Sequence, residues 1–126
     1  MKTAKTITFY FLVVLCSLAL FGCGQKADES EPLGEVKAEA EKMSAEKLRS
    51  MAMTYKDAIM SKKGEVEKFT GKLKDIPITK MMSDEAKKLK AEIEALNKSV
   101  SALKERFQVY YDKLKEKGGN LSGLEL

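Results

Sequence analysis

Nine apolar positions in the second half of the chain leave little freedom in how it folds. Ala86, Leu89, Ile93, Leu96, Val100, Leu103, Phe107, Tyr110 and Leu114 succeed one another in alternating steps of three and four residues. That rhythm gathers side chains along one stripe of a helix, whereas a half-buried strand needs every second residue. Sustained over several heptads, it describes the seam of a coiled coil. Ser83 stands before the stripe, followed by Asp84 and Glu85. A hydroxyl there can cap free N–H groups, and acids suit the positive first turn. Lys113, Lys115 and Lys117 crowd the other end, and Gly118-Gly119 follows as a stop signal. The spacing predicts a helix over 83–117.

The first half repeats the pattern. Ala45, Leu48, Ala52, Tyr55, Ile59, Lys62, Val66, Phe69, Leu73 and Ile76 keep the same alternation, with Lys62 as the single polar member. A lysine on a seam either lays its stem along the apolar surface and lifts its amine to water, or marks register or a partner contact. Gly64 and Gly71 lie off the stripe, and each costs about 1 kcal/mol against Ala in a helix. They mark either local fraying or a close approach. Pro77 ends the segment, because the residue before a proline avoids the helical region. The prediction is a helix over about 45–75. Upstream, Val36, Ala40 and Met43 also have helical spacing but are out of phase with the later seam. Either the helix restarts at Ser44, leaving a short additional helix over about 35–43, or one long helix carries an odd first turn set. A break or kink at Ser44 is the preferred reading.

Two seams of similar length joined by 76–82 specify an all-α fold, an antiparallel coiled-coil helical hairpin spanning 35–117 with a tail over 118–126. Facing layers then have residue numbers of constant sum. A sum of 162 sets Tyr55 against Phe107 and Ala52 against Tyr110, whereas 155 sets Leu48 against Phe107. The first is preferred because it places a small residue opposite a large one. One pair of stripes buries little against chain entropy. Met51, Ala58, Ala95, Ala102 and Val109 widen the apolar surface in the half away from the loop. A third element should cover it: the 35–44 segment, the tail around 121–126, or a second copy. Met51, Met53 and Met60, with Val109, form the alternative candidate, an adaptable face for a protein partner.

The amino terminus has a different grammar. Met1-Lys2-Thr3-Ala4-Lys5-Thr6 is cationic, and 7–20 is an apolar run broken only by Thr8, Cys16 and Ser17. As a helix this run would rise about 21 Å, short of a bilayer core of about 30 Å, so it suits a cleaved leader better than a permanent span. It ends Leu20-Phe21-Gly22-Cys23. This ending resembles the lipobox of bacterial lipoproteins, with Leu at −3, a small residue at −1 and Cys at +1. The resemblance implies cleavage between Gly22 and Cys23 by signal peptidase II, a diacylglyceryl group on the sulfur of Cys23, and an acyl chain such as palmitate on the new amino terminus. It also implies a place in the cell envelope. Gly24 in place of an Asp implies the outer membrane facing the periplasm in a Gram-negative source, and otherwise the outer face of the cytoplasmic membrane is expected. Segment 1–22 is thus read as signal peptide. Residues 23–34 are read as the lipidated cysteine and a flexible tether, because Gly24–Gly34 has too little apolar surface to offset its ordering entropy.

Composition then narrows the chemistry. The chain has no His, and its charge is +4. With Lys2 and Lys5 in the leader, the mature part has 21 basic against 19 acidic residues, a net of +2. Both signs are interspersed, which argues against nucleic acid as a partner. No catalytic residue, metal-ligand spacing, phosphate loop or small-molecule substrate site is read from the sequence, and no cofactor is expected besides the lipid on Cys23. The expected protein is a non-enzymatic envelope lipoprotein, structural or adaptor-like. It would be held to the membrane by its lipid and engage a protein partner or a second copy through helix-to-helix contacts. The alternative is a periplasmic binding module, an inhibitor or chaperone-like protein, that grips a partner with the Met-rich face.

Overall fold

Ser44 and Ser83 start the two long helices by the same device. Each has extended backbone, and its hydroxyl accepts from the N–H three residues on, Lys47 and Ala86 respectively, at 3.3 Å. The structure, a computed structural model, describes residues 26–126, so the leader, the Leu20–Cys23 motif and Cys23 itself lie outside the described residues. Helix α1 spans Leu33–Lys42, α2 Ala45–Lys74 and α3 Asp84–Glu116, with a 3-10 turn at Ile78–Lys80 between the last two. Among the described residues there is no β-strand. α2 and α3 run antiparallel and pack along their seams, and α1 packs on α3. The fold is an all-α helical hairpin with a short additional N-terminal helix.

The break at Ser44 is complete: Met43 and Ser44 are both extended, so the chain reverses between α1 and α2. α3 ends in a left-handed Gly118 (φ 68°), with Gly118 N–H donating to Lys115 O and Gly119 N–H to Leu114 O. This is the paired closure of a Schellman turn. Both glycines are needed, because a Cβ on Gly119 would lie 2.1 Å from Leu114 Cδ1. By contrast, a Cβ at Gly64 or Gly71 would meet nothing. Those glycines therefore do not mark a close approach of helices.

The register follows from one ring pair. Tyr55 and Tyr110 stack with centroids 5.4 Å apart. A layer sum of 155 would set Tyr55 opposite Val100, about 15 Å along the helix from Tyr110. A sum of 162 sets it opposite Phe107, one turn away, so the 155 alternative is excluded.

Burial divides the hairpin in two. In the head, away from the loop, Leu48, Ala52, Tyr55, Ile59, Leu103, Phe107, Tyr110 and Leu114 are buried together with Val36 and Ala40 of α1 and Leu124 of the tail. The covering third element is thus the chain's own, supplied by α1 and the tail at once. In the arm, Val66, Phe69, Leu73, Leu89, Ile93 and Leu96 are only half-buried; Ala86, and Val100 at the border with the head, are buried seam residues.

The expectation of a loose tether over 24–34 needs correcting where it is described. Leu33 and Gly34 belong to α1, and 28–31 is fastened to the hairpin by its own backbone. Tyr55 Oη donates to Asp28 O and accepts from Asp28 N–H, both at 3.1 Å. Arg106 donates from Nε to Glu31 O at 3.0 Å, and its Nη2 reaches the same oxygen. Ser99 bonds the Glu29 carboxylate. Composition gave no sign of this because the contacts at Asp28 and Glu31 use their main-chain atoms, which any sequence has.

Candidate functional site

The head is clamped by basic side chains on carbonyl oxygens. Arg49 donates to Asn120 O at 2.6 Å and Ser122 O at 2.8 Å, and Lys56 to Gly123 O at 2.8 Å, which seats Leu124 in the core. Lys117 donates to Glu41 O at 3.1 Å and Met43 O at 2.6 Å, so a cation meets the negative end of α1. Lys113 pairs with Glu41 at 2.5 Å and Glu116 at 2.6 Å. Those bonds, Glu116 first, hold the Lys113 ammonium above its usual range, and Lys113 holds the Glu41 carboxyl below its own. The sequence shows these lysines only as favourable end charges. That Lys113 and Lys117 reach across to the end of α1 depends on packing.

One group in the head departs far from its ordinary titration. Burial pushes the Tyr110 hydroxyl up strongly, and its Oη has no protein partner among the described residues. Burial also raises Tyr55, partly offset by its bond to Asp28. Glu31 is raised by burial and then by Glu39, Asp28 and Glu35. Asp28, bonded by Ser30, is lowered. None of these forms a nucleophile–base pair. Among the described residues no three of His, Cys, Asp and Glu gather as a metal site, and no helix is long and apolar enough to cross a membrane.

The residues expected to form a methionine-rich partner face do not come together. Met51 is a core residue, 5% exposed. Its position beside the seam turns inward because α1 and the tail widen the core beyond two stripes, which corrects its assignment to a contact face. Met53 and Met60 remain exposed on α2. Val109 is on α3, half-buried in a groove beneath α1 that Leu33, Lys37 and Lys113 also line. Lys62 is half-buried beside Glu29, Phe69 and Leu96, in keeping with a stem laid along the arm.

The surface the structure leaves open is elsewhere. Along the arm, shallow grooves expose parts of Phe69, Leu89 and Leu96. At its tip Ile78 is 91% and Met82 77% exposed, the two most exposed large apolar side chains described. Loop length and a turn were readable there, but exposure was not, because an apolar loop residue can equally fold back onto the hairpin. No family model, no curated protein and no solved structure matches this chain.

Proposed function

We propose that the protein is a non-enzymatic lipoprotein of the bacterial cell envelope, anchored through lipid on Cys23, with a structural or adaptor role carried by helix-to-helix contacts. The anchor rests on the order of cationic start, apolar run and Leu20-Phe21-Gly22-Cys23. The role rests on one observation: the arm keeps its coiled-coil seam but only half buries it. A third helix laid along Phe69, Leu89 and Leu96 would cover apolar surface that the head covers internally with α1. The self-sufficient head makes the arm, rather than the methionines, the natural contact element. The binding-module reading retains only Met53 and Met60 as an exposed pair.

Labelling cells with a palmitate analogue tests the anchor. Label on the protein that is lost in Cys23→Ser is expected, and an unlabelled protein removes the lipoprotein reading. Mild crosslinking through the arm then tests the role. Crosslinks to a second copy or to one defined helical protein are expected, and their persistence in Leu96→Glu would overturn the arm as the contact.

A further inference from the structure

One groove between α2 and α3 stays open along the arm. Phe69, Leu89 and Leu96 line it from the tip as far as Ser99. There Ser99 bonds the Glu29 carboxylate, and residues 28–31 close the way towards the head. The open part runs beside 84–99 of α3, about 23 Å.

The two rims of this groove carry opposite signs level by level. In the register that sets Tyr55 opposite Phe107, Lys72 of α2 falls opposite position 90 of α3 and Asp75 opposite 87. Side chains lean towards the start of their own helix, and these helices start at opposite ends. Lys72 and Glu92 therefore lean towards a common level, as do Asp75 and Lys88. Lys62 falls opposite position 100, beside the seat of Glu29 on Ser99. Lys80 on the connection and Glu85 on α3 continue the series at the tip. Among the described residues none of these groups is in an ion pair.

A second copy fits this pattern in one orientation. Let two arms lie parallel, groove to groove, about a twofold axis along the groove. Then α2 of each copy faces α3 of the other at the same level. Phe69, opposite position 93, enters between Leu89 and Leu96 of the other copy, as a knob enters a hole. Lys72 meets Glu92, Asp75 meets Lys88 and Lys62 meets Glu29, each twice. Antiparallel arms would set α3 on α3. The shift that brings Leu89 onto Leu96 then puts Glu92 onto Glu92, and like charges facing each other oppose docking.

We infer that the arm groove is the interface for a second copy of this chain, docked in parallel. This rests on the proposed reading of the arm as the contact element and names its occupant. Both heads then lie at one end, and so do the two chains leading back from Asp28 to the anchor. A face of about 23 Å by 20 Å buries about 900 Å² over both copies, the size of a transient interface. Anchoring both copies in one membrane raises their effective concentration.

Full-length protein, unlabelled and heavy-nitrogen-labelled, is mixed in vesicles of phosphatidylethanolamine and phosphatidylglycerol. A carbodiimide then joins amines to carboxylates in contact. Peptides linking a labelled to an unlabelled copy are expected to pair Lys72 with Glu92 and Lys88 with Asp75. Lys72→Glu and Glu92→Lys should each weaken the dimer about tenfold. Mixing the two variants should restore it, because every facing pair is again of opposite sign. Links between copies that join Lys88 to Glu92 would mean antiparallel arms and overturn the proposal, as would a mixture that fails to recover. The same reagent on intact cells separates it from the wider reading. Arm links to a different protein alone overturn the second copy and leave the arm as the contact element. Absence of any link from the arm overturns both.

Discussion

The head and the arm are built from the same two helices and the same alternation of apolar residues, yet they bury them differently. In the head, Leu48 is fully buried because α1, the 28–31 segment and the tail close over α2 and α3. In the arm, Leu96 has an equivalent seam position and is half-buried, since only one helix faces it. The pattern fixes which side of a helix is apolar. How much that side contributes depends on how many segments cover it, with full burial of a large aliphatic side chain worth about 1.5–3 kcal/mol.

The largest expected difference comes from matched truncations. Leu48→Ala should destabilise the protein by about 2–5 kcal/mol, whereas Leu96→Ala should cost about 1 kcal/mol, since it opens to solvent instead of leaving a sealed cavity. Urea unfolding of both variants checks this, and equal costs would break the division into head and arm. A smaller effect of opposite sign is expected from the arm's glycines. Gly64→Ala or Gly71→Ala should stabilise by about 0.5–1 kcal/mol, because both sites are helical and the added Cβ meets nothing. Hydrogen exchange should slow about two- to fivefold for arm amides alone. Slowing spread equally over the head would show that the two parts open as one.

The smallest effect concerns pH. The carboxyl of Glu41 is lowered in the folded protein by Lys113, so its contribution is present above the ordinary carboxyl value of 4.5 and lost as pH falls through its lowered value. Glu41→Gln should therefore flatten the acid side of a Tm-against-pH curve below about pH 4.5. Glu41 is fully exposed, which keeps the change small. An unchanged acid limb would mean that Lys117 alone fixes the end of α1.

The hairpin was legible because periodicity, caps and Pro77 are local signals that agree with one another. The helix ends expected at 45–75 and 83–117 differ from those observed by one residue at most. The loss of phase at Ser44 correctly separated α1. What periodicity does not carry is the choice of cover. Leu124 sits in a short polar tail and Met51 flanks the seam, and only the folded geometry shows both as core. The seat of residues 28–31 was equally hidden, since Tyr55 reads as a seam ring and nothing in the pattern singles out Arg106 until their backbone partners are known. The candidate site divides in the same way. The connection over 76–82 could be placed in the sequence, but the exposure of Ile78 and Met82 on it could not.

The fastening of residues 28–31 has a mechanical consequence. Tension entering through the amino-terminal chain is met by Tyr55, Ser99 and Arg106, on both long helices, before it can unwind α1. The bonds lie side by side along the hairpin, so the load is shared rather than taken one bond at a time. The domain would thus yield as a unit, with its shortest helix sheltered behind the point of attachment.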